Sequence, residues 1–342
     1  MPTLRQLEDL AHATATPFGY LLLSEPPAMQ LPIPLYRTFD TEVVREPSPD
    51  LLETVQTMKR RQDWLREFLI DHGSDALPFV GSATVGDDLR ALSVKIRNEL
   101  GLQEGWAARE SSWSSALRQL MHHVESAGII VVAPAIVGNN TRRRLDPQEF
   151  RGFVLVDEYA PLLLVNGADG KAAQMFTLAH EIAHLWFGAS AAFDLDEMQP
   201  AANEVELACN RVAAELLAPE NEVRTAWAVL NGNADRFQQM ARQFKVSELV
   251  VARRALDLGY ISRTEFRAFY RDYMAREREK APADGGNFYN SQNLRVGRRF
   301  VEAVVHAVRE DRLLYRDAYQ LTGLYGRVFE DYTRALGLGG TT

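Results

Sequence analysis

The pattern of the apolar positions changes twice along the chain, from helical spacing to short strand-like runs and back. Leu4, Leu7, Leu10 and Ala13 fall at helical spacing, and GYLLL follows Pro17, so two short helices are predicted between residues 4 and 23. Pro26, Pro27, Pro32 and Pro34 then exclude helix and favour an extended connector, with a boundary near residue 45. Helical patterns return over Leu51 to His72, Asp87 to Leu100 and Ser111 to Ala127, the last with Trp113, Leu117, Leu120, Met121 and Val124 on one side. GIIVVAPAIV, GFVLVDEY and PLLLVNG are short β-branched runs bounded by Gly, Pro and Asn, which predicts three strands pairing as a small sheet. The third run passes through NGADGKAAQ directly into a helix over Ala172 to Phe187.

Beyond Pro219 the pattern is helical to the end. DRFQQMARQF, KVS and ELVVARRALDLGY have the form of a helix-turn-helix, with Ser247 placed to cap the second helix. KAPADGG at 280–286 reads as a linker, followed by helices over Phe288 to Arg309 and Tyr315 to Leu336. The fold class implied is α+β: a mostly helical chain around a small sheet and one helix fed by it. The units expected are 1–45, a core at 46–220, a helix-turn-helix-like region at 221–279 and a carboxyl-terminal helical region at 287–342.

Composition narrows the class. With 46% apolar and 25% charged residues the chain has the makeup of a folded globular protein, and a net charge of −8 argues against a surface built chiefly to cover phosphates. The single cysteine, Cys209, allows no internal disulfide, and MPTLRQLEDL lacks an apolar run of signal-peptide type. A cytoplasmic location is expected. The richest apolar stretch, Gly128 to Val137, is strand-like in length, so no membrane span is expected.

The candidate chemistry lies in FTLAHEIAHLWFG, where His180, Glu181 and His184 spell HExxH. At about 100° per residue, positions i and i+4 stand about 40° apart around a helix, so both imidazoles can share one tetrahedral ion, as zinc requires. Glu181 projects beside that ion as a base for its water rather than as a ligand. A catalytic zinc needs a third protein donor, and NEVELACNRVAAELLAP offers Glu204 and Glu206. Val205, Cys209, Val212, Ala213, Leu216 and Leu217 form an apolar arc; Glu206 lies at its margin, whereas Glu204 joins Arg211 and Glu215 on the opposite, solvated side. Glu206 is the better candidate. Asn210, one turn later, is placed to accept from the free ring N–H of a ligating histidine. No residue is assigned as an oxyanion donor.

Other residues carry less. His122 and His123 are neighbours on a helix and cannot both face one ion; His12, His72 and His306 stand isolated in the sequence. Cys209 reads as a small core residue. Arg253 and Arg254 could meet phosphates, but Glu248 and Asp257 dilute the field, so contact with DNA is not the favoured reading. An extended peptide substrate could pair with a strand edge beside the metal helix, PLLLVNG being one candidate.

At these residues the sequence resembles the ImmA/IrrE family of metallopeptidases. The resemblance runs through RGFVLVDEYAPLLLVNG, FTLAHEIAHLWFG and EVELACNRVAAELLAPE in order, and more loosely through ARQFKVSELVVARRALDLGYIS and the carboxyl-terminal helices. It implies a zincin-like core, metal ligands at His180, His184 and Glu206, and a catalytic glutamate at Glu181. It also implies a substrate: a partner repressor of the XRE helix-turn-helix kind, or an antitoxin, cleaved in a stress response or in mobile-element or toxin–antitoxin regulation. PTLRQLEDLAHATATPFGYLLL resembles the closing helices of an XRE domain without the part that would hold its recognition helix, so DNA reading by this end is not expected. Two other readings stand beside it: a DNA- or protein-binding regulator with a structural zinc, and a zinc hydrolase of non-peptide amides.

Overall fold

The computed structural model describes residues 2–14, 18–25, 47–188, 191–193, 204–230, 232–276, 292 and 294–338. The proline-rich connector, the KAPADGG linker and the first residues of the helix expected from Phe288 lie outside them. Two short helices open the chain, α1 (Leu4–Ala13) and a 3-10 turn (Phe18–Leu22). Then follow α2 (Pro49–Asp71), α3 (Leu89–Glu99), α4 (Trp113–Ser126), β1 (Ile130–Val132), β2 (Gly152–Leu155), β3 (Leu162–Val165), α5 (Lys171–Phe187) and β4 (Ala191–Phe193). The remainder is helical: α6 (Glu204–Leu217), α7 (Glu220–Val229), α8 (Arg236–Phe244), α9 (Glu248–Asp257), α10 (Arg263–Ala275), α11 (Arg298–Arg309), α12 (Tyr315–Thr322) and α13 (Arg327–Ala335).

The three strands read from the sequence do pair, and β4 joins them in the order β1-β3-β2-β4. β1 runs parallel to β3; β2 is antiparallel to both β3 and β4. The expectation that PLLLVNG offers a free edge is therefore wrong: β3 is interior, hydrogen-bonded on both sides. β4 is too short, at three residues, for an alternating pattern to announce it.

The apolar runs are continuous because both faces of the sheet are covered. Val131, Val154, Leu163 and Val165 join a core with α3, α4, α5 and α6; Ile130, Val132, Phe153, Leu155, Leu162 and Leu164 join a second core with α2, α11 and α13. Ser48 caps α2 by accepting from Leu51 N–H at 3.1 Å, and Pro49 supplies a first-turn φ at no hydrogen-bond cost. Gln62 on α2 donates to the Leu155 and Ala160 carbonyls at 2.8 and 3.0 Å, fixing the helix over the β2–β3 turn. Arg61 donates to the carbonyls of Leu321 and Arg295 at 2.9 and 2.8 Å, tying α2 to the carboxyl-terminal helices; burial lowers its pKa to about 10.

Both long helices expected near the carboxyl terminus are interrupted within their described residues. Gly297, at φ 82°, precedes α11: a side chain there would meet Ile130 Cγ2 and Val131 O at 3.3 Å, so the chain turns against β1 instead of continuing as helix. The span Tyr315 to Leu336 is divided at Gly323, where a left-handed φ of 72° ends α12. In the helix-turn-helix-like region, α8 and α9 form as expected and Ser247 accepts from Val250 N–H at 3.2 Å. No helix among the described residues is long and apolar enough to cross a membrane.

Candidate metal centre and active site

α5 is buried all round from Gln174 to Trp186, as expected of a helix that leaves one core layer only to meet another. Its two flanks differ. On one lies the sheet, where Gly152 of β2 lets the main chain approach: a Cβ at that position would stand 2.5 Å from Thr177 Cγ2, 2.7 Å from Leu164 O and 3.4 Å from Glu181 Oε1. On the other lies α6, whose small residues Ala208, Cys209 and Ala213 are buried and allow close packing.

Across the α5–α6 seam, two residue pairs at i and i+4 face each other. His180 Nε2 and His184 Nε2 are 2.9 Å apart; Glu206 Oε2 lies 3.1 Å from the first and Glu206 Oε1 3.2 Å from the second. A tetrahedral ion with bonds of about 2.0–2.1 Å holds its donors roughly 3.3 Å apart, so this triangle has the size such an ion needs. The Glu206 Oε1 approach is not in hydrogen-bond geometry, and that oxygen, like both oxygens of Glu181, is buried without a hydrogen-bond partner. Two ring nitrogens and the two oxygens of one carboxylate drawn together, one of those oxygens without a partner, fit a cation better than a hydrogen-bond network.

Electrostatics favour the metal-binding forms. Burial, reinforced by His184, lowers the His180 pKa to about 4, which keeps its lone pair free. Burial pushes Glu206 upward, but its contacts with His180 and His184 outweigh that and bring it to about 2, so it is anionic. Glu181 is raised well above the usual carboxylate range by burial and then by the Glu206 charge. Asn210, also on α6, places Oδ1 3.1 Å from His180 Nδ1, where a ring N–H can donate to it and fix Nε2 toward the triangle. His184 Nδ1 has no such partner among the described residues.

Two residues stand differently from their sequence reading. Cys209 is buried, as a small core residue should be, yet its sulfur lies within 4.8 Å of ring nitrogens of His180 and His184. Burial, Glu206 and Glu181 all raise its thiol pKa well above the ordinary value, so it stays protonated. Glu215, expected on a solvated side of α6, is instead an ion-pair partner of Arg254. The pair is mostly buried, with side-chain exposures of 12% and 10%, and Arg254 also donates to Ala218 O at 3.1 Å. Arg253 pairs with Asp257 at 3.1 Å. These arginines are committed to structure, and Glu204 is exposed.

The HExxH helix, the Glu206 carboxylate brought to it by the following helix and the sheet behind them make an α+β layout consistent with a zincin-like core. Residues 124–256 match the Peptidase_M78 family model, described as the IrrE N-terminal-like domain, a match that supports a metallopeptidase. Residues 296–335, which span α11 to α13, match a domain of unknown function, DUF8813. No curated protein matches the chain.

Proposed function

We propose that the protein is a zinc-dependent endopeptidase in which His180, His184 and Glu206 hold the metal and Glu181 is the catalytic base. The observation that carries this is the convergence of two imidazole nitrogens, 2.9 Å apart, with the two oxygens of one carboxylate, each within 3.2 Å of one of them, beside a buried glutamate with no hydrogen-bond partner. Two imidazoles and a carboxylate are a catalytic zinc donor set that leaves one coordination position for substrate or water. When bound, zinc supplies Lewis acidity toward a carbonyl and toward water. Glu181 takes the water proton on a carboxylate oxygen and delivers it to the leaving amide nitrogen, so the same group serves as base and then acid. Asn210 holds the His180 ring in the tautomer that presents Nε2. With β3 interior, β4 takes over the role of pairing edge: among the described residues it is bonded on one side only, to β2, and can receive an extended peptide.

The substrate proposed is a partner regulatory protein, a helix-turn-helix repressor or an antitoxin, cut in the cytoplasm during stress or mobile-element regulation; the resemblance to ImmA/IrrE peptidases supports it. Co-expression with the product of the neighbouring gene tests this. The native protein should yield a partner fragment, and Glu181→Gln should retain zinc and leave the partner intact; equal fragmentation in both removes Glu181 from the chemistry.

One observation gives the structural-zinc reading something to stand on, namely the nearness of Cys209, which as a fourth ligand would close the site. Cys209→Ala separates the two. An open catalytic site keeps its zinc affinity within a few-fold, whereas a closed one loses the metal.

A further inference from the structure

His72 and His306, isolated in the sequence, meet on the surface. His72 caps the carboxyl end of α2, and His306 and Glu310 lie one turn apart at the carboxyl end of α11. His72 Nε2 is 2.9 Å from Glu310 Oε2, His306 Nδ1 is 3.5 Å from the same oxygen, and donor atoms of the three residues lie within 4.8 Å of one another. The His72 ring rests on Phe68 with centroids 3.9 Å apart, and its Nδ1 is 2.7 Å from the Phe68 carbonyl oxygen. A carbonyl can only accept, so Nδ1 carries a proton; Nε2 faces a carboxylate oxygen, which raises the His72 pKa, so the contact is made by a protonated Nε2–H or, when that proton is displaced, by a cation on the Nε2 lone pair. Two acceptors at that distance require a positive species between or upon them. A ring nitrogen pinned by a main-chain carbonyl, with the other turned toward a carboxylate, is also the habit of metal-bound histidines.

The helix ends point the same way independently. Two helix carboxyl termini converge here, and the partial negative charge of each helix dipole favours a cation. Arg312 is the rival for that position, with Nη1 3.5 Å from His72 Nε2 and Nε 3.9 Å from Glu310 Oε2. Its side chain is 55% exposed and can swing away.

We propose that His72, His306 and Glu310 form a second divalent-cation site, of zinc class, that clamps α11 to α2 on the opposite side of the sheet from the peptidase centre. Two imidazoles and one carboxylate select zinc, cobalt or nickel over calcium and magnesium, which prefer oxygen donors. His306 and Glu310 are exposed and His72 partly so, which lets an ion enter without unfolding, in contrast to the buried His180–His184–Glu206 cluster. Part of the region matched to the domain of unknown function thereby acquires a role, the metal-dependent locking of the carboxyl-terminal helices onto the core.

The test uses the full chain, dialysed to equilibrium against zinc alone, with zinc counted per chain and melting followed with and without chelator. The native protein should bind two equivalents; His306→Ala and Glu310→Gln should each bind one and lose part of the zinc-dependent rise in melting temperature. His184→Ala, which disables the inner cluster, should keep the outer equivalent. Arg312→Ala, by removing the competing cation, should tighten the outer equivalent. A zinc count that is the same in the native protein, His306→Ala and a His72→Ala, His306→Ala double variant overturns the proposal. So does a single native equivalent that His184→Ala abolishes.

Discussion

Gly152→Ala tests how the metal helix is positioned. The added methyl would stand 2.5 Å from Thr177 Cγ2 and 2.7 Å from the Leu164 carbonyl oxygen. Ordinary carbon contacts are about 3.5–4.0 Å, so β2 and α5 must separate by roughly 1 Å at this point. Inserting a methyl into a packed core costs about 1–3 kcal/mol, and the upper half of that range applies because one of the two clashes is with main chain that cannot rotate away. Thr177 lies three residues before His180, so the displacement reaches the donors, while Glu206 is held by a different helix. A misplacement of about 1 Å can cost on the order of 100-fold in turnover. Denaturant unfolding measures the stability change and chelator competition measures zinc affinity. The expected outcome is a loss of about 2 kcal/mol together with weakened zinc binding. Adding Thr177→Ser, which removes Cγ2 but not the clash with Leu164 O, should restore part of both. If Gly152→Ala unfolds within about 0.5 kcal/mol of the native protein and keeps its zinc affinity, the close-approach reasoning is refuted.

Three further outcomes are expected. Asn210→Ala should weaken zinc binding by about 10- to 100-fold through loss of the His180 orientation, while unfolding in chelator changes little; unchanged zinc affinity would dismiss the role. Glu215→Gln leaves Arg254 as an uncompensated, largely buried cation and should cost about 3 kcal/mol in urea unfolding; a loss under about 1 kcal/mol would show that Ala218 O and water suffice. Burial raises the Glu125 pKa from 4.5 to about 7, although the Arg298 N–H donates to it at 3.0 Å. Between those pH values the folded chain keeps a proton that the unfolded chain has released, so this group's contribution to stability is fully present below pH 4.5 and is lost as pH rises toward 7. The ceiling on that loss is about 3 kcal/mol. Glu125→Gln should flatten that part of the stability–pH curve, and a curve unchanged by the substitution would count against the shift.

The sheet-to-helix order, the extent of α5 and the placing of His180 and His184 on one of its faces were legible along the chain because each rests on local periodicity. So was the preference for Glu206 over Glu204, since one wheel decides which side of a helix meets the core. Sequence alone determined that this is an α+β chain with two histidines on one helix face, because a five-residue motif and strand-length apolar runs need no distant partner to be read. Tertiary structure decided the rest. It put β3 in the interior of the sheet and set Arg254 against Glu215, contacts between segments with no shared period. It brought Asn210 of α6 to His180 of α5, and His72 to His306 across a separation that no local spacing encodes. Such meetings follow from which helix faces share a core, a property of the whole packing and of no single segment.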